Sequence, residues 1–201
     1  MSPQQQRGEE TRSTILSAAV ECFAQHGYDG TGVNEICQRA GVTKGAFYHH
    51  FPTKQAVFLE LFNRWLEEVD QQLAAARAGA TTVPEALLQM AEMAEGVFDV
   101  TDSQLPMVLE FWNEARHDPK VWKEMISPYR RYRDYFSDII QAGVKEGSLR
   151  KVDPDVVAQI IVSLTAGLAW QGVFDPKGAN WGKVVREGIR MLLKGLEKQQ
   201  V

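Results

Sequence analysis

Cysteine is scarce in this 201-residue chain. Cys22 and Cys37 are the whole complement, both lie in apolar helical patterns, and neither has a C-x-x-C partner. That excludes a disulfide framework and a cysteine zinc site, and it predicts a reducing, cytoplasmic setting. Long hydrophobic runs are missing as well: no stretch reaches the roughly 20 apolar residues that cross a bilayer, and residues 1–10 are polar, with no apolar signal core. A soluble protein without membrane contact is expected. Alternating strand patterns, internal repeats and low-complexity linkers are also lacking, as are a phosphate-cradling glycine loop and a nucleophile–base pair, so no enzyme activity and no cofactor are expected. Glu114-Ala115-Arg116-His117 reads as one Glu-x-x-His motif of a di-iron bundle, but such a site needs two copies and two further glutamates. No second copy exists, and no metal is expected.

A basic excess, the usual mark of a polyanion binder, is missing too, since the net charge is −4. Its distribution is uneven. Residues 30–59 carry Arg39, Lys44 and Lys54 against Glu35, a net of +2, which leaves −6 for the remainder. The basic stretch coincides with a run of short helical signals.

What the chain does contain is helical periodicity. Ile15, Leu16, Ala19, Cys22 and Phe23 recur at helical spacing and stop at Gly27, a residue that tolerates a positive φ. Thr31 precedes Val33, Ile36, Cys37 and Ala40, and Gly41 follows as a stop signal. Thr43 can cap a third helix carrying Phe47 and Phe51, and Pro52 blocks its continuation. The tight Gly-Val-Thr junction between the last two is the form of a helix-turn-helix. Thr53 caps a long fourth helix, with Phe58, Leu61, Phe62, Trp65, Leu66, Val69 and Leu73 on one stripe, running to the Ala78-Gly79-Ala80 break. Pro84, Pro106, Pro119 and Pro154 follow cap-forming residues, and five more helices are expected, with Pro128 kinking or dividing one of them. The predicted fold is all-α with about nine helices: a helix-turn-helix domain over 1–52 and a larger helical domain over 53–201.

On a wheel with Phe47 at zero, Phe51 falls at about 40°, while Lys44, Tyr48, Gly45 and His49 occupy an arc from about 60° to 200°. The phenylalanines form a core face. The open arc combines a cation, a phenol, an imidazole and a residue with no side chain, which suits phosphates and base edges. Thr43 and Thr53 mark helix starts, where amide groups and positive helix dipoles favour phosphate, and Lys54 adds charge there. His50, at about 300°, sits beside the aromatic face and reads as a packing residue. Arg7 and Arg12 are candidates for a minor-groove arm, although Arg7 lies in a stretch expected to be disordered.

Residues 30–54, GTGVNEICQRAGVTKGAFYHHFPTK, strongly resemble the TetR family of bacterial repressors, and the likeness extends over about residues 11–61. The resemblance implies a three-helix DNA-binding domain, a variable ligand domain and a homodimer on a palindromic double-stranded DNA operator. It places the DNA contacts at Thr31, Thr43, Lys44, Gly45, Tyr48, His49 and Lys54. The remaining residues match in helical layout only.

The larger domain is aromatic-rich. Trp65, Phe98, Phe111, Trp112, Tyr132, Phe136 and Trp170 are candidates to line a site for a small apolar or aromatic effector, with Glu110, Glu114 or His117 as polar anchors. Residues 153–198 carry the stripes Val157, Ile160, Ile161, Leu164, Leu168 and Val185, Ile189, Leu192, predicted to form the dimer interface. Ser163, Thr165, Ala166, Gly167 and Ala169 permit close helix approach there. The expected function is a repressor released by its effector. The alternatives are a helical carrier or enzyme, and an activator with the same fold.

Overall fold

A computed structural model describes residues 2–97, 108, 111–112 and 115–197. Eight helices are present among them: α1 Pro3–Gly30, α2 Val33–Ala40, α3 Lys44–His50, α4 Lys54–Gly79, α5 Val83–Val97, α6 Pro119–Glu146, α7 Pro154–Phe174 and α8 Trp181–Leu196. Among the described residues no strand competes with them, and one isolated bridge joins Leu149 to Glu197. The helix expected from Pro106 falls largely outside the described residues.

Most helices start where a side chain can satisfy free amides. Asp118 and Asp153 accept from the first-turn amides of α6 and α7, each followed by proline, and Asn180 does the same for α8. The Thr53 hydroxyl accepts from the Ala56 amide at the start of α4. Two expectations need correction. The stretch around Arg7, expected to be disordered, is helical, because α1 begins at Pro3, where Ser2 and Gln5 form a reciprocal capping box. Gly27, at φ 71°, still breaks the helix before its last residues. And of the two outcomes expected at Pro128, division does not occur: α6 passes through it as one element.

A third correction concerns α7. By length and composition it is apolar enough to cross a membrane, with a mean hydropathy of 1.6, although only a third of that window is buried. Gln159, Ser163 and Gln171 interrupt the run of apolar letters without lowering its average enough. The helix is apolar on both faces.

The chain forms two compact units, Met1–Glu68 with Pro106–Glu114, and Val69–Leu105 with Ala115–Val201. In the first unit, Ile15, Leu16, Phe23, Ile36, Phe47, Phe58 and Phe111 are buried. The Phe111 ring lies 3.8 Å from that of Phe58 and 4.9 Å from Tyr28, centroid to centroid. In the second unit, α5, α6, α7 and α8 enclose a core that includes Leu87, Ile140, Val157, Ile161, Val185, Ile189 and Leu193. The long helix α4 supplies residues to both units.

Candidate nucleic-acid interface

The junction between α2 and α3 follows from two residues. Gly41 adopts φ 65°, a left-handed conformation that costs glycine nothing, and its amide and that of Val42 close the end of α2 on Gln38 and Cys37 carbonyls. Two residues on, the Thr43 hydroxyl accepts from the Ala46 amide at 3.1 Å and starts α3. So tight a turn sets α3 across α2 with its amphipathic faces fixed.

Phe47 and Phe51 face inward at 0% and 3% exposure, their rings 6.2 Å apart. Lys44, Gly45, Tyr48 and His49 are all exposed, Tyr48 at 52% although its ring is large and apolar. Tyr48 rests edge-on against Phe47 at 5.3 Å, which orients its ring on the exposed side of α3. His50 is half-buried with its ring 5.1 Å from that of His49. The open arc is polar, oriented and capable of hydrogen bonding.

Thr31 and Lys54, expected on DNA, are placed otherwise. Thr31 is buried, and its hydroxyl donates to the Gly27 carbonyl at 2.7 Å; Gly32, not Thr31, caps α2. Lys54 is half-buried, and its ammonium donates to the carbonyls of Tyr28 at 2.6 Å and Thr31 at 3.0 Å while lying 4.1 Å from the centre of the Tyr28 ring. The chain leaves α1 at this point, and the cation gives both carbonyls a charged donor, that of Tyr28 also accepting from the Thr31 amide at 3.4 Å. Its charge serves the fold. Arg39 is likewise engaged, donating to Glu21 at 3.1 Å and Gln25 at 2.7 Å on α1. Of the three cations in 30–59, Lys44 alone stands exposed without an ion-pair partner among the described residues.

The other predicted sites are less coherent. Phe98, Glu110 and Glu114 lie outside the described residues. Phe111 is core of the first unit, not an open lining, because it is packed on Phe58 and Tyr28. Trp65 and Trp112 are half-buried in that unit, whereas Tyr132, Phe136 and Trp170 belong to the second. The Tyr132 hydroxyl is enclosed and lies beside the Asp70 carboxylate, without a hydrogen bond of regular geometry among the described residues, and burial first and Asp70 second push its ionisation far upward. Both cysteines are buried and free, and burial raises the Cys22 thiol.

The predicted dimer stripe also needs correction. Val157, Ile161, Leu168, Val185 and Ile189 are buried in the protomer's own core, and Leu164 and Leu192 are half-buried against it. Of that set only Ile160 is exposed. A different stripe is exposed: Val156, Ile160, Ser163, Trp170 and Phe174 on α7, with the half-buried Gly167 in register, and Val184, Met191 and Gly195 on α8, with the half-buried Gly188 in register and turned toward Leu164. Both follow a spacing of four and three residues, one helix face.

Comparison with known proteins meets this geometry at two places. Residues 15–61 match the family model described as bacterial regulatory proteins, tetR family, and residues 98–194 match that of the BetI-type transcriptional repressor C-terminal region. The transcriptional regulator LmrA of Bacillus subtilis is 30% identical over 173 residues, covering 78% of this chain and 88% of that protein. The transcriptional repressor KstR2 of Rhodococcus jostii is 23% identical over 193 residues, 92% of this chain and 90% of the relative. A transcriptional regulator from Saccharomonospora viridis, solved in complex with choline, superposes with a TM-score of 0.83 at 22% identity, over 95% of this chain and all of that one.

Proposed function

Because the chain belongs to the TetR family and is a DNA-binding transcriptional regulator, not an enzyme, we propose that it is a homodimeric repressor released from a palindromic operator by a small effector. The observation that carries this reading is the division of α3 into a buried Phe47–Phe51 face and an exposed Lys44, Gly45, Tyr48 and His49 face. We assign DNA contact to those four, with Thr43 as the cap that orients them. Functionally, residues 1–52 read DNA and 53–201 sense the effector and dimerise.

Dimerisation supplies what one helix-turn-helix lacks. Two α3 helices must be presented about 34 to 36 Å apart to enter successive major grooves, and the outward stripes of α7 and α8 supply an apolar surface for the second copy. The effector acts by binding better to a form with the wrong spacing, since a ligand of equal affinity for both forms shifts nothing. Helix α4, which begins beside the recognition helix and continues into the second unit, is the element through which that preference is felt. An apolar or aromatic effector is favoured by the half-buried Tyr132 and Phe136, with the enclosed Tyr132 hydroxyl beside Asp70 as its polar contact.

Electrophoretic shift on the DNA flanking the protein's own gene, with and without candidate effectors at fixed salt, tests the reading. A retarded complex that an effector dissolves is the expected result. Retardation that no stabilising ligand reverses would remove the effector step, and transcription that falls when the protein is deleted would make it an activator.

A further inference from the structure

The DNA-binding unit is short of free positive charge. It contains six lysines and arginines: Arg7, Arg12, Arg39, Lys44, Lys54 and Arg64. Four are committed to the fold. Arg12 pairs with Glu60 at 2.9 Å and Arg64 with the same carboxylate at 3.0 Å; Arg39 and Lys54 are engaged as described above. Lys44 and Arg7 remain, both exposed and without an ion-pair partner among the described residues.

Arg7 is placed to act with α3. The capping box at Ser2 and Gln5 makes its segment helical, and the Thr11 hydroxyl donates back to the Arg7 carbonyl at 2.9 Å. This part of α1 runs beside the end of the recognition helix. The Arg12 guanidinium lies 5.2 Å from the centre of the Phe51 ring, and a Cβ built on Gly8 would lie 4.0 Å from Cε1 of His50. Arg7 precedes Gly8 and is exposed, so the helix carries a solvent-facing cation one residue from its contact with His50 of α3. Around α1, Arg7 is in helical register with Gln25, which meets Arg39 of α2, whereas Arg12 faces Glu60 of α4.

We propose that the beginning of α1 extends the DNA interface beyond the helix-turn-helix, with Arg7 contacting a backbone phosphate flanking the groove that α3 enters. The inference rests on the DNA-binding reading above. Phosphate contacts position a protein without reading sequence, so Arg7 contributes to operator and unrelated DNA alike. Glu9 and Glu10 are exposed on the same segment and repel the same backbone, which keeps the net effect modest.

The test compares Arg7→Ala, Arg7→Lys, Glu10→Gln and Lys44→Ala in the full chain, by fluorescence anisotropy on operator and on scrambled duplex across a salt series. Arg7→Ala should weaken both duplexes by a similar factor, about three- to tenfold, and reduce the slope of log K against log salt by ~0.9, one phosphate neutralised. Arg7→Lys should restore the slope, and Glu10→Gln should tighten both duplexes. If Arg7→Ala leaves affinity and slope unchanged while Lys44→Ala weakens binding, the α1 contact is wrong and the helix-turn-helix reading stands. If the unmodified chain binds neither duplex, both fall. A loss confined to the operator would overturn the phosphate assignment in favour of base reading.

Discussion

Lys44 and Tyr48 are exposed, and Tyr48 meets the protomer's other rings at Phe47 alone among the described residues, so truncating them should subtract mainly from DNA binding. For Lys44→Ala the salt slope should fall by ~0.9, as expected for one lost phosphate contact. For Tyr48→Ala, operator affinity should fall roughly tenfold, or about 1.4 kcal/mol. Thermal melting of both variants should match the parent; a large drop in melting temperature would mean that the face is structural. Lys54 should behave in the opposite way. Its ammonium makes two hydrogen bonds to carbonyls, and bonds involving a charged group contribute about 1.5–3 kcal/mol each. Lys54→Met should therefore lower the unfolding free energy measured in urea, with DNA affinity falling only as the folded fraction falls. The sequence could distinguish Phe47 from Tyr48, because helix phase separates them. It could not distinguish Lys44 from Lys54. Both follow a threonine at a helix start, and only the approach of the Tyr28 and Thr31 carbonyls, 26 and 23 residues away, decides that one is consumed by the fold.

Helices were legible where local chemistry announces their ends. Thr43, Thr53, Asp118 and Asp153 cap the elements that follow them, and Gly41 closes α2. The early start of α1 was also written locally, in Ser2-Pro3 followed by Gln5, but the stretch has no apolar periodicity and so reads as a tail. What orders it is tertiary. Arg12 ties α1 to α4 through Glu60, whose carboxyl is held below its ordinary range first by the hydrogen bond from Arg12 and then by that from Arg64. A depressed carboxylate adds stability that is complete above its unfolded pKa of about 4.3 and is lost as pH falls through the lower folded value. The stability difference between the parent and Glu60→Gln should thus be full near neutrality and shrink below about pH 4.3, as read by urea titrations at several pH values. A difference that grows toward acid would reverse the sign and disprove the assignment. The cap of α3 is a separate test of the element: Thr43→Ala should cost about 1 kcal/mol and also weaken DNA binding, because α3 orients the contacts.

At the scale of the whole molecule the decisive feature is a helix apolar on both sides. Periodicity marks α7 as a packing helix but cannot say which face its own protomer takes, and the stripe predicted for the partner proved to be the protomer's core. The outward stripe carries a sharper signature. Phe174 and Met191 are 77% and 71% exposed, the Gly167 Cβ position has no atom of another element within 4 Å among the described residues, and Gly188 brings α8 close enough that its Cβ would meet Leu164 at 3.1 Å. So α7 and α8 pack tightly as a pair and present a face of small and apolar groups together. Small residues on such a face let a second pair approach backbone to backbone. Gly167→Leu is therefore the informative variant: within one protomer the added side chain enters open space, and between two it occupies the room that close approach requires. Helix propensity even favours the change by about 1 kcal/mol. We expect the parent to sediment at twice the chain mass at micromolar concentration, and Gly167→Leu to sediment as a monomer with unchanged helical circular dichroism and undiminished protomer packing. Operator binding should then collapse far more than a single lost contact explains, because two half-sites held by one particle become two independent, weak events. A variant that remains dimeric with full operator affinity would show that the outward stripe of α7 is not where the second copy sits.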